Sequence, residues 1–245
     1  MEVIMKILIT GASTGIGSAI AKTLAKNNEL FLVYNQSKES AIGVASEVTK
    51  LGGTAHLIQC DITKEENCIA LINEVKEHTD YLDVLVNNAG GLVKRVPAVE
   101  LTWDHMQEVF NLNTFSLFKI TSLAIELLKK GTNPNIINIA SVVIRHGAPG
   151  ATMYAASKGA VDVFTRGLMR ELAPDIRVNT VSPGVIDTPF HDKVSTKEQM
   201  KIWADANPLK KNGQGEHIAL AVSFCIENTF LNGENIDVNG GTYIR

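Results

Sequence analysis

The sequence predicts an α/β fold, a doubly wound sheet of seven parallel strands with helices on both faces. Short apolar runs alternate with longer helical patterns from one end of the 245 residues to the other, as a parallel sheet with crossover helices requires. Two of the runs, Val84-Leu85-Val86 and Ile136-Ile137-Asn138-Ile139, are apolar on nearly every position, as strands covered on both faces must be. No stretch rich in Pro, Gly and Ser divides the chain, so a length that allows one large domain or two small ones is read as one domain over residues 1–245.

In chain order, Val3–Ile9 is the first strand and Ile16–Asn27 the first helix. Leu30–Tyr34 and Thr54–Cys60 are strands on either side of the helical pattern Glu39–Leu51. Glu65–His78 is a helix leading into the strand Leu82–Val86. Thr102–Lys129 reads as one long helix before the strand Asn135–Ala140, and Ala151–Leu172 as a helix before the strand Ile176–Ser182. The stretch Pro183–Asn212 breaks the alternation, with two further prolines and a short helical pattern near Glu198–Ala206. Long loops in compact domains are usually functional, which makes it a candidate substrate lid over about residues 183–212. Glu216–Glu227 and Asn235–Val238 close the pattern as helix and strand. Polar residues stand at several helix starts, where they can act as caps.

Hydrophobic residues make up 45% of the chain and charged residues 20%, the balance of a globular protein with its own core. A formal charge of −3 with acids and bases interspersed offers no electrostatic footprint for nucleic acid or an anionic membrane, which leaves a small molecule as the expected partner. No stretch approaches the ~20 apolar residues of a membrane span. Met1 to Thr10 runs straight into a strand with no basic-then-apolar leader, so a cytoplasmic protein is expected. Cys60, Cys68 and Cys225 are dispersed and odd in number, which suggests neither a disulfide framework nor a zinc site. The six histidines lack a ligand spacing such as H-E-x-x-H, and no metal is expected.

Directly after the first strand comes Thr10-Gly11-Ala12-Ser13-Thr14-Gly15-Ile16-Gly17, opening a helix. Glycines there let the backbone turn tightly and approach a pyrophosphate, while the helix N-terminus faces the negative charge. The spacing is G-x-x-x-G-x-G, not the G-x-G-x-x-G of the standard dinucleotide fingerprint. With it the sequence resembles the short-chain dehydrogenase/reductase family, whose signature T-G-x-x-x-G-x-G is complete here. The resemblance continues through Asp61, Asn87-Asn88-Ala89-Gly90, Asn113, Ser141, Tyr154-x-x-x-Lys158, Pro183-Gly184 and Asn239-Gly240-Gly241, in family order and over essentially the whole chain.

The resemblance implies a Rossmann-like fold whose cofactor half spans about residues 1–140, and a nicotinamide cofactor. It places Gly11, Ser13, Thr14, Gly15, Ile16 and Gly17 against the cofactor phosphates and Asp61 with Ile62 at the adenine. Asp61 has a plainer alternative as a cap for the next helix. By the same resemblance Asn88, Ala89 and Gly90 lie beside the cofactor, and Pro183, Gly184, Ile186 and Thr188 meet the nicotinamide carboxamide. At the end of the second strand an acid would bind the ribose 2′-hydroxyl and repel a 2′-phosphate. That region reads Tyr34-Asn35-Gln36-Ser37-Lys38, with no acid until Glu39. Asn35 and Ser37 with Lys38 nearby can hold a phosphate, which favours NADP(H) over NAD(H). Against this, Thr14 stands where many NADP-using relatives carry arginine.

Tyr154 and Lys158 are four apart in a helical pattern and so share a face. A free tyrosine, with a pKa of ~10, is a poor base at neutral pH, and an adjacent ammonium together with a positive nicotinamide ring favours phenolate. The expectation is therefore a proton-transferring Tyr154 tuned by Lys158, both also touching the cofactor. Ser141 stands at the end of a candidate central strand at the family's spacing from Tyr154. A carbonyl between the two hydroxyls would receive two hydrogen bonds as negative charge develops. The family's fourth residue is an asparagine in the long fourth helix, and its N-x-x-x-x-F spacing to Phe118 selects Asn113 over Asn111. The implied reaction is ketone–alcohol interconversion by hydride transfer.

Substrate would be gripped by Val142–Met153 and by Thr188–Asn207, where Arg145, His146, His191, Lys193 and Trp203 are candidate contacts or ordinary surface and packing residues. Two enzymatic readings remain. The first is an NADPH-dependent reductase of 3-oxoacyl thioesters, with Lys129, Lys130 and Arg170 as docking charges for an acidic carrier. The second is a dehydrogenase of a sugar, polyol or hydroxy acid, suited to the polar Arg145-His146 loop. A non-catalytic cofactor sensor or scaffold is disfavoured by the presence of both Tyr154 and Lys158. A homotetramer is implied by the family, with Ala155, Ala156, Gly159 and Ala160 permitting close helix packing.

Overall fold

In a computed structural model that describes residues 4–244, the chain forms the expected sheet. Its strands are β1 (Lys6–Thr10), β2 (Glu29–Tyr34), β3 (Thr54–Gln59), β4 (Val84–Asn87), β5 (Asn135–Ile139), β6 (Arg177–Pro183) and β7 (Asn235–Val238). They lie in the order β3-β2-β1-β4-β5-β6-β7, and every pairing is parallel. Alternation along β1 divides the core. Ile7 and Ile9 face one cluster with Ile20, Val44, Val48, Ile218 and Val222. Leu8 faces the other with Phe31, Leu71, Ile72, Val75, Ile120 and Ala124. The first cluster is covered by α1 (Gly15–Thr23), α2 (Lys38–Lys50) and α9 (Gly215–Glu227), the second by α3 (Glu65–His78), α5 (Ser116–Leu128) and α7 (Thr152–Leu172).

Where the order reverses, between β1 and β4, the connections leave on opposite faces and open a crevice beyond the carboxyl ends of the strands, the usual ligand position in such sheets. Every candidate catalytic and cofactor residue follows or flanks that edge.

Several boundaries differ from the expectations. Val3, the expected start of the first strand, lies outside the described residues. The strand pairs only from Lys6, whose N–H donates to Asp83 Oδ2 at 2.8 Å after Met5 N–H has been taken by Asn28 Oδ1 at 3.0 Å. The first helix stops at Thr23, short of Asn27, which adopts a left-handed φ of 60°, a conformation asparagine tolerates better than most residues. The expected helix Thr102–Lys129 is α4 (Trp103–Phe110), a π-helical turn (Asn111–Phe115) and α5. Two side chains bond carbonyls at the wider turn, Asn113 Nδ2 donating to Val109 O at 2.9 Å and Ser116 Oγ to Leu112 O at 2.8 Å. The stretch Pro183–Asn212 carries a 3-10 turn (His191–Lys193) and α8 (Lys197–Ala206), and a short helix α6 (Val143–His146) follows β5.

A buried chain of side chains fastens the helices to the sheet. Asn87 Nδ2 donates to Thr121 Oγ1 at 2.8 Å and to Asn138 Oδ1 at 2.9 Å, Asn138 Nδ2 to Thr165 Oγ1 at 2.9 Å, and Thr180 Oγ1 to Thr165 Oγ1 at 2.8 Å. It joins β4, β5 and β6 to α7, which carries Tyr154 and Lys158, and to α5, which continues from the turn that carries Asn113. In a low-dielectric interior such a chain rigidifies what it connects.

Candidate active site

The loop from β1 to α1 is built to bring backbone close to a ligand. Gly11 and Gly15 have φ of +66° and +55°, where a Cβ is disfavoured. Thr10 Oγ1 accepts from the N–H groups of Asn88 and Ala89 at 3.0 and 3.1 Å, and Asn88 Nδ2 donates to the carbonyls of Thr10 and Gly11 at 2.9 and 3.0 Å. These bonds fix the turn against the end of β4. Thr14 is the N-cap of α1 and makes no side-chain cap bond, so the first-turn N–H groups get no side-chain acceptor there and can receive an anion. Ser13 and Ile16 flank it, half-buried. A Cβ on Gly17 would lie 2.1 Å from Gly11 O. Gly17→Ala is therefore expected to push the loop out of shape, costing about 1–3 kcal/mol as overpacking does. Thermal melts with and without added NAD(P)H would read this as a lowered Tm and a reduced upward shift on adding cofactor; an unaltered shift would refute the assignment of this loop.

Across the crevice, Thr188 Cβ stands 3.2 Å from where a Gly15 Cβ would be, so the segment after β6 closes over the loop after β1. Gly184 lies against Asn239, and Ile186 is buried and bridged to Gly213. At the end of β2, Asn35, Ser37 and Lys38 are exposed, and none of their side chains bonds to another described residue. Asp61 Oδ1 accepts from the N–H and Oγ1 of Thr63 at 3.1 and 2.7 Å. This closes a local turn and does not cap α3, whose N-cap is Lys64. Ile62 is buried beside it. Two open cavities of about 440 Å³ adjoin this end, and Thr63 and Asn111 line both. Asn111 thus borders the region expected to take adenine, while Asn113 points elsewhere.

Four side chains meet at the carboxyl end of β5. Ser141 follows the strand and hydrogen-bonds with the Tyr154 phenol, which reaches it from the first turn of α7. Lys158, one turn later and buried, donates from Nζ to Ile139 O at 2.8 Å. Asn113 donates to Gly91 O at 2.8 Å and accepts from Gly91 N–H at 2.9 Å. A Cβ on Gly90 would lie 2.7 Å from Asn113 Oδ1 and 3.0 Å from Lys158 Nζ, so the glycine is what allows these two groups to flank it. Asn113 and Lys158 are thereby brought together, as the spacing suggested.

Burial pushes the Tyr154 phenol up to about 12, partly offset by the Ser141 hydrogen bond, and pushes the Lys158 ammonium down to about 8. In the protein alone desolvation governs, and Tyr154 is not drawn toward phenolate by Lys158. At neutral pH the phenol keeps its proton and stands as a donor.

On the substrate side, two candidates are committed elsewhere. Arg145 pairs with Asp237, Nη2 to Oδ1 at 3.2 Å and Nε to Oδ2 at 3.3 Å. His146 stacks on Tyr243 with centroids 4.2 Å apart and accepts at Nδ1 from Ala148 N–H at 3.3 Å. Both tie the loop after β5 to the C-terminal segment. His191 bonds Ser195 Oγ through Nδ1 at 3.0 Å, and its ring lies 5.0 Å from Phe190 and 5.8 Å from Trp203. Burial, then the Arg95 charge, lowers its pKa. The side chain of Lys193 lies outside the described set. Lys129 and Lys130 follow α5 and Arg170 lies in the last turn of α7, at the opposite end of the sheet from Ser141. Phe190, with its ring 6.3 Å from Tyr154, escaped the sequence reading because one aromatic in an irregular stretch carries no pattern.

All three cysteines are buried thiols, with pKa raised by burial to about 12, 11 and 12 at Cys60, Cys68 and Cys225. Among the described residues no cluster of His, Cys, Asp or Glu is placed to hold a metal ion, and no helix is long and apolar enough to cross a membrane.

A family model described as short chain dehydrogenase matches residues 5–199. The chain is 32% identical to cyclopentanol dehydrogenase of Comamonas testosteroni, covering 96% of this chain and 95% of that protein. It is 32% identical to the 3-oxoacyl-[acyl-carrier-protein] reductase FabG of Thermotoga maritima, covering 97% of each. Among solved structures it resembles an NADH-dependent reductase, A1-R', responsible for alginate metabolism, with a TM-score of 0.89, 30% identity, and coverage of 99% of this chain and 98% of that one.

Proposed function

The chain belongs to the short chain dehydrogenase family, an oxidoreductase family, and from that premise we propose that it reduces a ketone to a secondary alcohol with a nicotinamide cofactor. The observation that carries this reading is the Tyr154 phenol, hydrogen-bonded to Ser141 with buried Lys158 one helical turn behind it. Bound NAD(P)H supplies the hydride. Ser141 and Tyr154 hydroxyls hold the carbonyl oxygen, and Tyr154 Oη gives up its proton as negative charge develops there. Lys158 stabilises the resulting phenolate, and Asn113 positions Gly91 and the loop it begins. The cradle from Gly11 to Gly17 fits a pyrophosphate, since a Cβ on Gly17 would collide with Gly11 O.

NADP(H) is the favoured cofactor, supported by the exposed Asn35, Ser37 and Lys38 and the absence of an acid among them. Asn35→Asp should swing the ratio of kcat/KM toward NADH by about tenfold, the size of one like-charge contact of ~1.4 kcal/mol; steady-state rates with both cofactors test this, and an unmoved ratio removes Asn35 from the site.

Of the two substrate classes, a 3-oxoacyl thioester is the first choice, in keeping with the similarity to FabG. A sugar, polyol or hydroxy acid is the second, in keeping with the reductase of alginate metabolism. Loss of the near-ultraviolet absorbance of NADPH and, separately, of NADH in the presence of acetoacetyl thioesters, ketoses and keto acids separates them. Turnover of the thioester alone supports the first reading, and turnover confined to sugars or keto acids the second. A non-catalytic scaffold predicts silence throughout. Trp103 on α4 and Val163 on α7, 72% and 60% exposed, support assembly through these helices into a homotetramer, the expected state in the cytoplasm.

A further inference from the structure

We propose that Arg95 is a specificity-determining residue that takes an oxyanion, a carboxylate or phosphate, carried by the carbonyl substrate. The proposal rests on the oxidoreductase reading above and adds the charge of the substrate to it. Arg95 belongs to the segment between β4 and α4, which is anchored at both ends to candidate catalytic elements. Gly91 exchanges two hydrogen bonds with Asn113. Val96 N–H donates at 2.9 Å to Gly150 O, four residues before Tyr154. Between these anchors Val93 holds a φ of 64°, which a β-branched residue adopts only under constraint from its surroundings, commonly at ligand sites.

The exposed side chain of Arg95 runs from Gly150 to the lid. Its Cβ is 4.0 Å from a Cβ placed on Gly150, on the Tyr154 side, and its Nε donates at 3.3 Å to Val194 O in the lid. That single bond leaves both Nη groups without a protein partner, and no acid within ion-pair distance of the guanidinium, among the described residues. A guanidinium fork with open donors matches a carboxylate or phosphate. Of the basic side chains in the loop after β5, Arg145 is held by Asp237, and His146 by Tyr243 and Ala148. Asp187 and Asp192 act on the neighbouring His191, yet neither pairs with Arg95. A ketone held between Ser141 and Tyr154 would extend its far end toward the lid, where Arg95 waits. The oxyanion can be the carboxylate of a keto acid or the phosphate of a pantetheine thioester.

Matched pairs test this with the intact enzyme: 4-oxopentanoate against its methyl ester, and acetoacetyl-CoA against the uncharged acetoacetyl N-acetylcysteamine thioester. Arg95→Gln should raise the KM of the anionic member relative to its neutral partner by about 10-fold or more, the scale of one charge-assisted hydrogen bond. Arg95→Lys should recover part of it, and the pair that responds identifies the source of the charge. An unchanged ratio in both pairs overturns the proposal, as does an equal rise for both members, which would mark Arg95 as a lid strap only. Wild-type turnover of the neutral substrates alone would sink the anion site and leave the oxidoreductase reading standing. If nothing is turned over, that reading fails first. Calorimetric titration of the cofactor-loaded protein with 4-oxopentanoate and acetoacetyl-CoA then decides Arg95 by itself: weaker binding to Arg95→Gln than to wild type supports it, and equal or absent binding overturns it.

Discussion

Tyr154→Phe should lower kcat/KM for ketone reduction by roughly 10²- to 10⁴-fold, the range that a positioned proton donor contributes. The ring stays, so packing near Phe190, 6.3 Å away, is kept. Only the hydroxyl is lost, and with it one hydrogen bond to Ser141, worth about 1 kcal/mol of stability. Cofactor affinity, read by fluorescence titration, should stay within about twofold, an interaction change below ~0.5 kcal/mol. A variant retaining a third of wild-type turnover would remove Tyr154 from the chemistry. Because burial pushes the phenol up to about 12, the donor form persists across the accessible alkaline range. Any decline of reduction near pH 8 then belongs to Lys158, whose ammonium titrates there.

Lys158→Met carries the second large effect, and it appears in two measurements. Catalysis should fall by at least about 10²-fold, since the phenolate formed at Tyr154 loses its neighbouring cation. Stability should change in a pH-dependent way. The folded-state pKa of Lys158, about 8, is depressed from the usual 10.5. Below pH 8 the lysine is protonated in both folded and unfolded chains, and the fold bears the full cost of a buried ammonium. Between pH 8 and 10.5 the unfolded chain holds the proton more tightly than the folded one, so wild-type stability rises with pH relative to the variant. Above 10.5 the cost is gone. The difference between wild type and Lys158→Met should shift by roughly 3 kcal/mol across this window. Urea unfolding of both proteins at pH 7 and pH 10 captures most of it, and parallel pH profiles would show that Lys158 is not desolvated as described.

The sheet was legible because parallel strands buried on both faces leave runs such as Val84-Leu85-Val86 with no competing helical period. The glycine loop was legible because three glycines at fixed spacing after a strand have a backbone reason. Tyr154 and Lys158 share a face by helical arithmetic, and Ser141 falls beside them because β5 and α7 are neighbours across the sheet edge. Other features depend on partners distant in sequence. Nothing around Arg145 announces Asp237, and the composition of His146 does not reveal that Tyr243 will stack on it. Desolvation outweighs the Ser141 hydrogen bond at Tyr154, a balance that requires the burial to be known. The break in the helix Thr102–Lys129 was invisible because no Pro or Gly marks it and the chain stays right-handed on both sides, at Phe110, Asn111 and Ser116. Arg95 gave no signal in sequence, since its role is set by Val194, 99 positions away.

The π-helical turn at Asn111–Phe115 has a consequence for how this chain tolerates insertion and deletion. A π-turn amounts to one residue more than an α-helix needs for the same rise. With one residue fewer, the turn would close into regular α-geometry with the segments on either side keeping their orientation, and only the residues of the bulge itself would change the direction they face. Composition would scarcely change, yet Asn113 could no longer face Gly91 while Thr121 still reached Asn87. The number of residues in this helix is therefore as much a part of the site as their identity.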